Sequence, residues 1–301
     1  MKKFLLIFAA LTLFAAQINA ESKIDDEDYD EMDSHVKHHK TEEITKDRFV
    51  HIASAKRSIL RKLRGDDDFA HPGGAEAIDY ALKKIKNQSS LKQGKTLDVG
   101  CGYGGSTEYL SKKGFRRVWG ADIDKKAVEY SALKYTNLHF KHLDNLNIAS
   151  KFKKDLFSFI YMFNFMYTIE DKELLIKNIG KISTKGATLV ILDYSRTHHL
   201  QDPKSNQIKD FAGITIKPID QTSLAASLKS NGWKVKEISN VTDKYISWYS
   251  DFLEKYAKKR HSLIKKYNEH EVEVAENLFN KILFNLKNHN IGAILIIAQK
   301  E

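Results

Sequence analysis

The chain has 301 residues, of which 42% are hydrophobic and 29% are charged, and its formal net charge is +10 at neutral pH. This length allows one large domain or two small ones. Its single cysteine, Cys101, excludes an intramolecular disulfide, and beyond the N-terminus no apolar stretch of the sequence is long enough to cross a bilayer.

The first twenty residues predict a secretory signal peptide. Residues 2–3 form a basic start, residues 4–16 form an apolar core, and residues 18–20 offer a cleavage site. The core is shorter than a comfortable membrane span, although an isoleucine three residues before the cut leaves an uncleaved N-terminal membrane anchor as the alternative. We therefore expect a periplasmic or secreted protein with no integral span once the signal is removed.

Residues 21–44 are predicted to form a disordered linker. An acidic run over 25–33 precedes a His-rich tract over 34–40. A His-rich tract can bind metal, but the favoured interpretation is a solvated segment with little apolar surface to bury, and no metal site is expected. The remaining chain is strongly basic, which favours either solvated lysine-rich helix faces or attraction to an anionic partner.

Residues 45–301 are predicted to form one α/β domain. Amphipathic helices are expected over 45–63 and 75–86. Strands and helices then alternate, which predicts a parallel sheet with helices on both faces. The predicted strands are 95–99, 117–122, 138–142, 156–162, 187–193, 233–241 and 291–298. The predicted helices after the first strand are 104–113, 125–135, 170–182 and 221–231. A helical region over 243–289 is expected to form a lid over the substrate, together with the loop 195–219.

The first of these strands ends in a glycine cluster over 100–105, and the second ends at Asp122. Strand, glycine turn, helix, strand and acid make up a nucleoside-binding βαβ unit. Glycines let the backbone approach a ligand closely, and the helix start offers free N–H groups to a carboxylate or phosphate. An acid at the end of the second strand can accept both ribose hydroxyl protons. Since the glycines also fit the spacing G-x-G-x-x-G, the spacing alone does not exclude NAD as the ligand.

Three further features favour S-adenosylmethionine over NAD. Asp98 stands two residues before the first glycine, and the third strand ends in Asp144 and Asn145, which suit the adenine amino group. The fourth strand is followed by Asn164 and a helix. These motifs, in this order, resemble class I S-adenosylmethionine-dependent methyltransferases over about 69–300.

The resemblance implies a Rossmann-like, seven-stranded, mostly parallel sheet whose last strand is antiparallel and lies between the fifth and sixth. It also implies S-adenosyl-L-methionine as the cofactor, held along the carboxyl edge of the sheet. The implied cofactor-binding residues are Asp98, Gly100, Gly102, Gly104, Asp122, Ile123, Asp144, Asn145 and Asn164.

The second half of the chain resembles a narrower group, the phosphoethanolamine N-methyltransferases and related small-molecule enzymes. The resemblance is carried by residues 69–74, 160–172, 192–196 and 291–300. This chain departs from that group at two positions. It has Asn164 where the group has Asp, and it has Thr168 where the group has the His of its catalytic His–Tyr pair. The matching upstream stretch, 58–65, contains no Tyr. The expected acceptor is therefore a small molecule with an amine or a hydroxyl, without a narrower assignment.

Other side chains are candidates for the chemistry. Methyl transfer from a sulfonium depends mainly on positioning, with a base where a proton must leave. His71 and Tyr194 are predicted to be catalytic, and their alternatives are a helix-capping turn residue and a packing tyrosine. The predicted lid carries three aromatic residues, Tyr245, Trp248 and Tyr249. They either form a wall around a methylammonium-like group of the substrate or pack in the core. The loop after the fifth strand carries Arg196, His198 and His199. One of them contacts an anionic substrate, or all three are exposed to solvent.

Three functions remain open at the level of sequence. The first is a small-molecule methyltransferase, and the second is a methyltransferase of a lipid or protein. The third is a catalytically inactive S-adenosylmethionine-binding protein, which the missing Asp and His suggest. A nucleic-acid partner is not expected, and the sequence leaves the oligomeric state open.

Overall fold

The structure, a computed structural model, describes residues 68–86, 88–197, 215–266 and 269–301. The predicted signal peptide, linker and first helix lie outside these residues, as do His198 and His199. The described residues form a seven-stranded sheet. Its strands are β1 (Thr96–Val99), β2 (Val118–Asp122), β3 (His139–His142), β4 (Phe157–Phe163), β5 (Ser183–Ser195), β6 (Trp233–Asn240) and β7 (Gly292–Lys300).

The sheet has the order β3-β2-β1-β4-β5-β7-β6. The first five strands pair in parallel, whereas β7 is antiparallel to both of its neighbours. The predicted fold, with the last strand antiparallel and between the fifth and sixth, is confirmed. The strand order reverses at β1, and the carboxyl ends of the strands beside such a switch point are where open α/β sheets bind ligands.

Helices connect the strands. They are α1 (Gly74–Lys83), α2 (Gln88–Leu91), α3 (Gly105–Lys112), α4 (Lys125–Lys134), α5 (Lys172–Ile182), α6 (Gln221–Ser230), α7 (Thr242–Lys266) and α8 (Glu269–Lys287). Asp124, Asp171 and Asp220 cap α4, α5 and α6 by accepting first-turn N–H groups. Such caps contribute about 1 kcal/mol each and fix where those helices begin.

The two faces of the sheet have separate apolar cores. Central strands such as β4 are buried on both faces, as expected of parallel strands covered by helices. One core lies under α1, α7 and α8 and includes Tyr161, Tyr194 and Phe279, and the other lies under α5 and α6 and includes Ile160 and Trp233. The region predicted to form a lid is observed as a helical hairpin, α7–α8, whose buried side chains belong to the first of these cores. Its role as a lid stays a prediction.

No helix in the described part of the chain is both long and apolar enough to span a membrane.

Candidate functional site

The turn between β1 and α3 is a glycine loop whose backbone takes left-handed values. Gly100, Gly102 and Gly104 have φ values of +81°, +52° and +80°, a region open to glycine and costly for other residues. The loop is tied to β2, because Gly100 N and Cys101 N both donate to Ala121 O, at 2.8 and 3.1 Å. A Cβ at Gly100 would lie 2.5 Å from the Phe165 ring. The sequence therefore needs glycine here for both conformation and space.

Asp122, the acid predicted to contact a ribose, has a second role. It is buried at the end of β2, where Oδ2 accepts from Gly102 N and Oδ1 from Asp124 N, both at 2.8 Å. The carboxylate thus holds the middle of the glycine loop in place. A carboxylate oxygen can accept more than one hydrogen bond, so these contacts are compatible with a ligand hydroxyl. Ile123, the next residue, is 39% exposed beside it.

Asp98 lies within β1 below the same loop. Its Oδ2 accepts from the Thr107 hydroxyl at 2.7 Å, and the side chain is buried. Burial raises the pKa of Asp98 to about 7, against the opposing effect of the Tyr161 and Thr107 hydroxyls, and the charge of Asp122 adds to the rise. Asp98 therefore changes its charge close to neutral pH.

Two buried amides at the carboxyl edge each have an atom without a hydrogen-bond partner among the described residues, namely Asn145 Oδ1 and Asn164 Nδ2. Asn145 follows Asp144, which caps the next turn through Leu146 N at 3.0 Å. Asn164 has φ +48°, and its Oδ1 accepts from Tyr245 OH at 2.7 Å. Leaving such an atom unpaired costs about 1–3 kcal/mol. Both positions therefore suit a bound molecule that supplies the missing hydrogen bond.

A segment that we call the strap, residues 68–74, covers the start of α3. Gly105 N donates to Asp68 O at 3.3 Å. The Asp68 side chain is fully buried, and it accepts hydrogen bonds from Lys134 Nζ and Tyr135 OH. These contacts anchor the strap to the end of α4. The sequence gives no sign of this role, because an acidic run such as the one before Phe69 is also typical of an ordinary turn.

His71 lies in the strap and is buried against the first turn of α3. Its Nδ1 is 3.0 Å from Pro72 O and its Nε2 is 2.9 Å from Ser106 Oγ. Because a carbonyl oxygen only accepts, Nδ1 carries a proton, and in the neutral ring Nε2 then accepts from the serine hydroxyl. The ring also packs edge-on against Phe163, at 5.2 Å between centroids. The structure thus places His71 at the end of β4, and its catalytic role remains a prediction.

Tyr194 belongs to a set of rings that we call the aromatic cluster: Tyr167, Tyr194, Tyr245, Trp248 and Tyr249. The hydroxyls of Tyr194 and Tyr249 are hydrogen-bonded to each other, and the Tyr194 ring lies 5.3 and 5.6 Å from those of Tyr167 and Tyr245. Burial raises the pKa of Tyr194 and of Tyr245 well above the usual range, so both hydroxyls stay protonated.

The aromatic cluster meets the strap and the segment after β4. A Cβ at Gly73 would lie 2.5 Å from the Trp248 ring. On the other side, Asp193 Oδ2 accepts from Phe165 N at 3.0 Å and Tyr167 N at 3.2 Å, which fixes the chain that follows Asn164. The predicted site residues on β1, β2, β4 and β5 thus come together at one edge of the sheet, covered by the strap and α7.

Known methyltransferases resemble this chain in sequence. Residues 74–238 match the sequence pattern of a family described as "Methyltransferase domain". Phosphoethanolamine N-methyltransferase 1 of Zea mays is 23% identical over 212 residues, covering 69% of this chain and 41% of that protein. Norajmaline N-methyltransferase of Rauvolfia serpentina is 27% identical over 153 residues, covering 48% of this chain and 51% of that protein. The chain thus spans about half the length of these curated relatives.

Two solved structures illustrate the shared fold. Phosphoethanolamine N-methyltransferase 2 of Haemonchus contortus, in complex with phosphomonomethylethanolamine and S-adenosylhomocysteine, has a TM-score of 0.73 at 16% identity, covering 84% of this chain and 60% of that one. The [4+2]-cyclase SpnF has a TM-score of 0.68 at 15% identity, covering 85% and 96%. At such low identity, these likenesses show the fold alone.

Proposed function

Because the chain belongs to the methyltransferase domain family, whose pattern matches residues 74–238, we propose that it is an S-adenosylmethionine-dependent methyltransferase of a small-molecule acceptor. The observation that carries the proposal is the glycine loop held by the Asp122 carboxylate at the switch point of the sheet. The names of the relatives support a small acceptor, because phosphoethanolamine and norajmaline are both small amines.

The residues of this edge fit the cofactor. The glycine loop would bring its backbone close to the methionine part, and the carboxylate of Asp122 is the acceptor type that the ribose hydroxyls require. Asp144 and Asn145 Oδ1, which is unpaired among the residues that the structure describes, are suited to the adenine amino group. The bound cofactor supplies a methyl group on a positively charged sulfur.

The strap and the aromatic cluster provide the acceptor side. Their packed rings exclude water, the Tyr194 and Tyr249 hydroxyls are hydrogen-bonded to each other, and the Tyr245 hydroxyl donates to Asn164 Oδ1 and so holds that amide in place. Asn164 Nδ2, which has no hydrogen-bond partner in the described part of the chain, can orient an oxygen or other acceptor atom of the substrate. Positioning of this kind supplies much of the rate of an in-line transfer. His71 Nε2 is the candidate to receive a proton where one must leave.

Binding of S-adenosylmethionine is expected to release protons near pH 7. The cofactor's positive charge favours the ionised form of Asp98, whose pKa in the free protein is raised to about 7. Affinity should therefore rise as the pH increases through 7 and level off above it. Calorimetry in two buffers with different heats of ionisation measures the release. The release should be lost in Asp98→Asn, and an equal release in that variant would contradict the role of Asp98.

The proposed function is tested in two steps. Calorimetry should show one site that binds S-adenosylmethionine and S-adenosylhomocysteine but not NADH. Transfer of a radiolabelled methyl group is then measured with phosphobases, other small amines, small hydroxyl compounds, lipid vesicles and protein as acceptors. Label in a small molecule supports the proposal, whereas tight NADH binding or label confined to lipid or protein contradicts it.

A second candidate is a protein that binds S-adenosylmethionine without transferring its methyl group. Asn164 and Thr168 stand where the resembled group has Asp and His, and a [4+2]-cyclase shares the fold. Cofactor binding with no labelled product from any acceptor class would favour this candidate.

A further inference from the structure

A polar cavity of about 320 Å³ lies at the carboxyl end of β5, apart from the glycine loop. The ends of β5 and β6, the start of β7, the first residues of α6 and α7, and His289 beyond α8 all contribute to its lining. Arg196 and His289 are its ionisable residues, and the described lining contains no carboxylate. The proposed methyl transfer uses none of these side chains.

Hydroxyl groups converge on one side of this cavity, around Gly292. A Cβ built on Gly292 would lie 3.0 Å from Ser195 Oγ, 3.1 Å from Thr242 Oγ1 and 3.3 Å from Thr197 Cγ2. Glycine therefore keeps this space open, and a larger residue would crowd these three side chains.

Ser195 is the hydroxyl that has no assigned partner. The residue is only 9% exposed and lines the cavity, yet its hydroxyl makes no hydrogen bond to any described residue. By contrast, Thr197 Oγ1 donates to His289 O at 2.6 Å, and Thr242 Oγ1 accepts from Ala293 N at 3.0 Å. Thr242 therefore keeps its own hydroxyl hydrogen to donate.

The charges around the cavity favour a negative occupant. The Arg196 guanidinium forms no ion pair within 4 Å among the residues that the structure describes. The nearby acid, Asp220, is engaged as the cap of α6, where hydrogen bonds from Ser223 lower its pKa and the charge of Arg196 lowers it further. In addition, α7 begins at a lining residue, Thr242. A helix start favours negative charge.

We propose that this cavity binds the phosphate or carboxylate group of a small anion. Arg196 supplies the charge, and the Ser195 and Thr242 hydroxyls supply donors. The occupant would bridge β5 to the first turn of α7, three residues before Tyr245 of the aromatic cluster. Anion binding would therefore stabilise the hairpin α7–α8 against the sheet. The proposal is independent of the proposed methyl transfer.

Calorimetry with inorganic phosphate, methyl phosphate and acetate tests this proposal, in a zwitterionic buffer at constant ionic strength. Wild type should show saturable binding to one site. The response to methyl phosphate shows whether an esterified phosphate is accepted as well as the free ion, and acetate tests the carboxylate class. Arg196→Gln should weaken binding roughly tenfold or more, the scale of a hydrogen bond to a charged group.

Arg116→Gln is the matched control, because Arg116 is an exposed arginine of a second basic cavity at the opposite edge of the sheet. It removes the same charge and should leave binding unchanged. Ser195→Ala removes a single hydroxyl and should also weaken binding, which keeps the test valid if Arg196→Gln does not fold. No saturable binding by wild type would overturn the proposal. So would equal weakening by Arg116→Gln, or unchanged binding in the folded cavity variants.

Discussion

Replacement of Asp122 by alanine is expected to weaken the binding of S-adenosylmethionine and S-adenosylhomocysteine by about 1.5–3 kcal/mol, or roughly ten- to 150-fold. Two losses combine in this variant. The proposed ribose contacts disappear, and the N–H groups of Gly102 and Asp124 lose their acceptor. The glycine loop would therefore be less ordered before the cofactor arrives. Calorimetry measures the affinity, and Asp251→Ala, which removes an exposed acid on α7, is the control for charge.

Hydrogen exchange separates these two losses. In the absence of cofactor, the amide of Gly102 should exchange faster in Asp122→Ala than in wild type, because its acceptor is gone. Asp122→Asn retains one oxygen acceptor and should give an intermediate rate. Unchanged exchange together with unchanged affinity would show that the carboxylate neither holds the loop nor contacts the cofactor.

Replacement of Gly105 by alanine is expected to destabilise the protein by about 1–3 kcal/mol, although alanine is the better helix former. Gly105 begins α3 directly under the strap. Its new Cβ would lie 2.5 Å from Asp68 C and 2.6 Å from Phe69 N, which are backbone atoms that cannot rotate away. The strap must therefore shift, and with it His71. Thermal unfolding measures the loss of stability, and the affinity for cofactor should fall as well.

Gly180→Ala is the matched control, since Gly180 also lies in a helix, α5, but its Cβ would come no closer than 3.5 Å to a neighbour. This variant should be neutral or more stable by up to about 1 kcal/mol. If both alanine variants unfolded at the same temperature and bound cofactor equally, the strap would not be seated on α3 as described.

Most of the sheet was predictable because its signals are local. Apolar β-branched runs give the strands, and the glycine turn and Asp122 mark the first βαβ unit. The strand β5 is an exception, predicted over 187–193 but observed over Ser183–Ser195. Its first residues, Ser-Thr-Lys-Gly, carry no strand signal and join the sheet through pairing of Ser183 with Phe157. Pairing with a neighbour thus overrides weak local preference.

The contacts that complete the candidate site were not predictable, because they join distant parts of the chain. Asp68 meets Tyr135 across 67 positions, and Tyr194 meets Tyr249 across 55. Nothing in the sequence near Asp68 distinguishes an anchored carboxylate from an ordinary turn. The hydrogen bond from Gly102 N to the Asp122 carboxylate was not predictable either, because it forms only when the glycine loop folds back over β2.

The position of β7 between β5 and β6 has a consequence for the order in which the chain can assemble. During synthesis, β5 and β6 emerge well before residues 292–300, yet both pair with that strand. Until it arrives, β5 presents an apolar, unpaired edge, the kind of surface that pairs wrongly with other chains. The sheet can therefore close only after β7 inserts, and a shortened chain lacking that strand should be prone to aggregation.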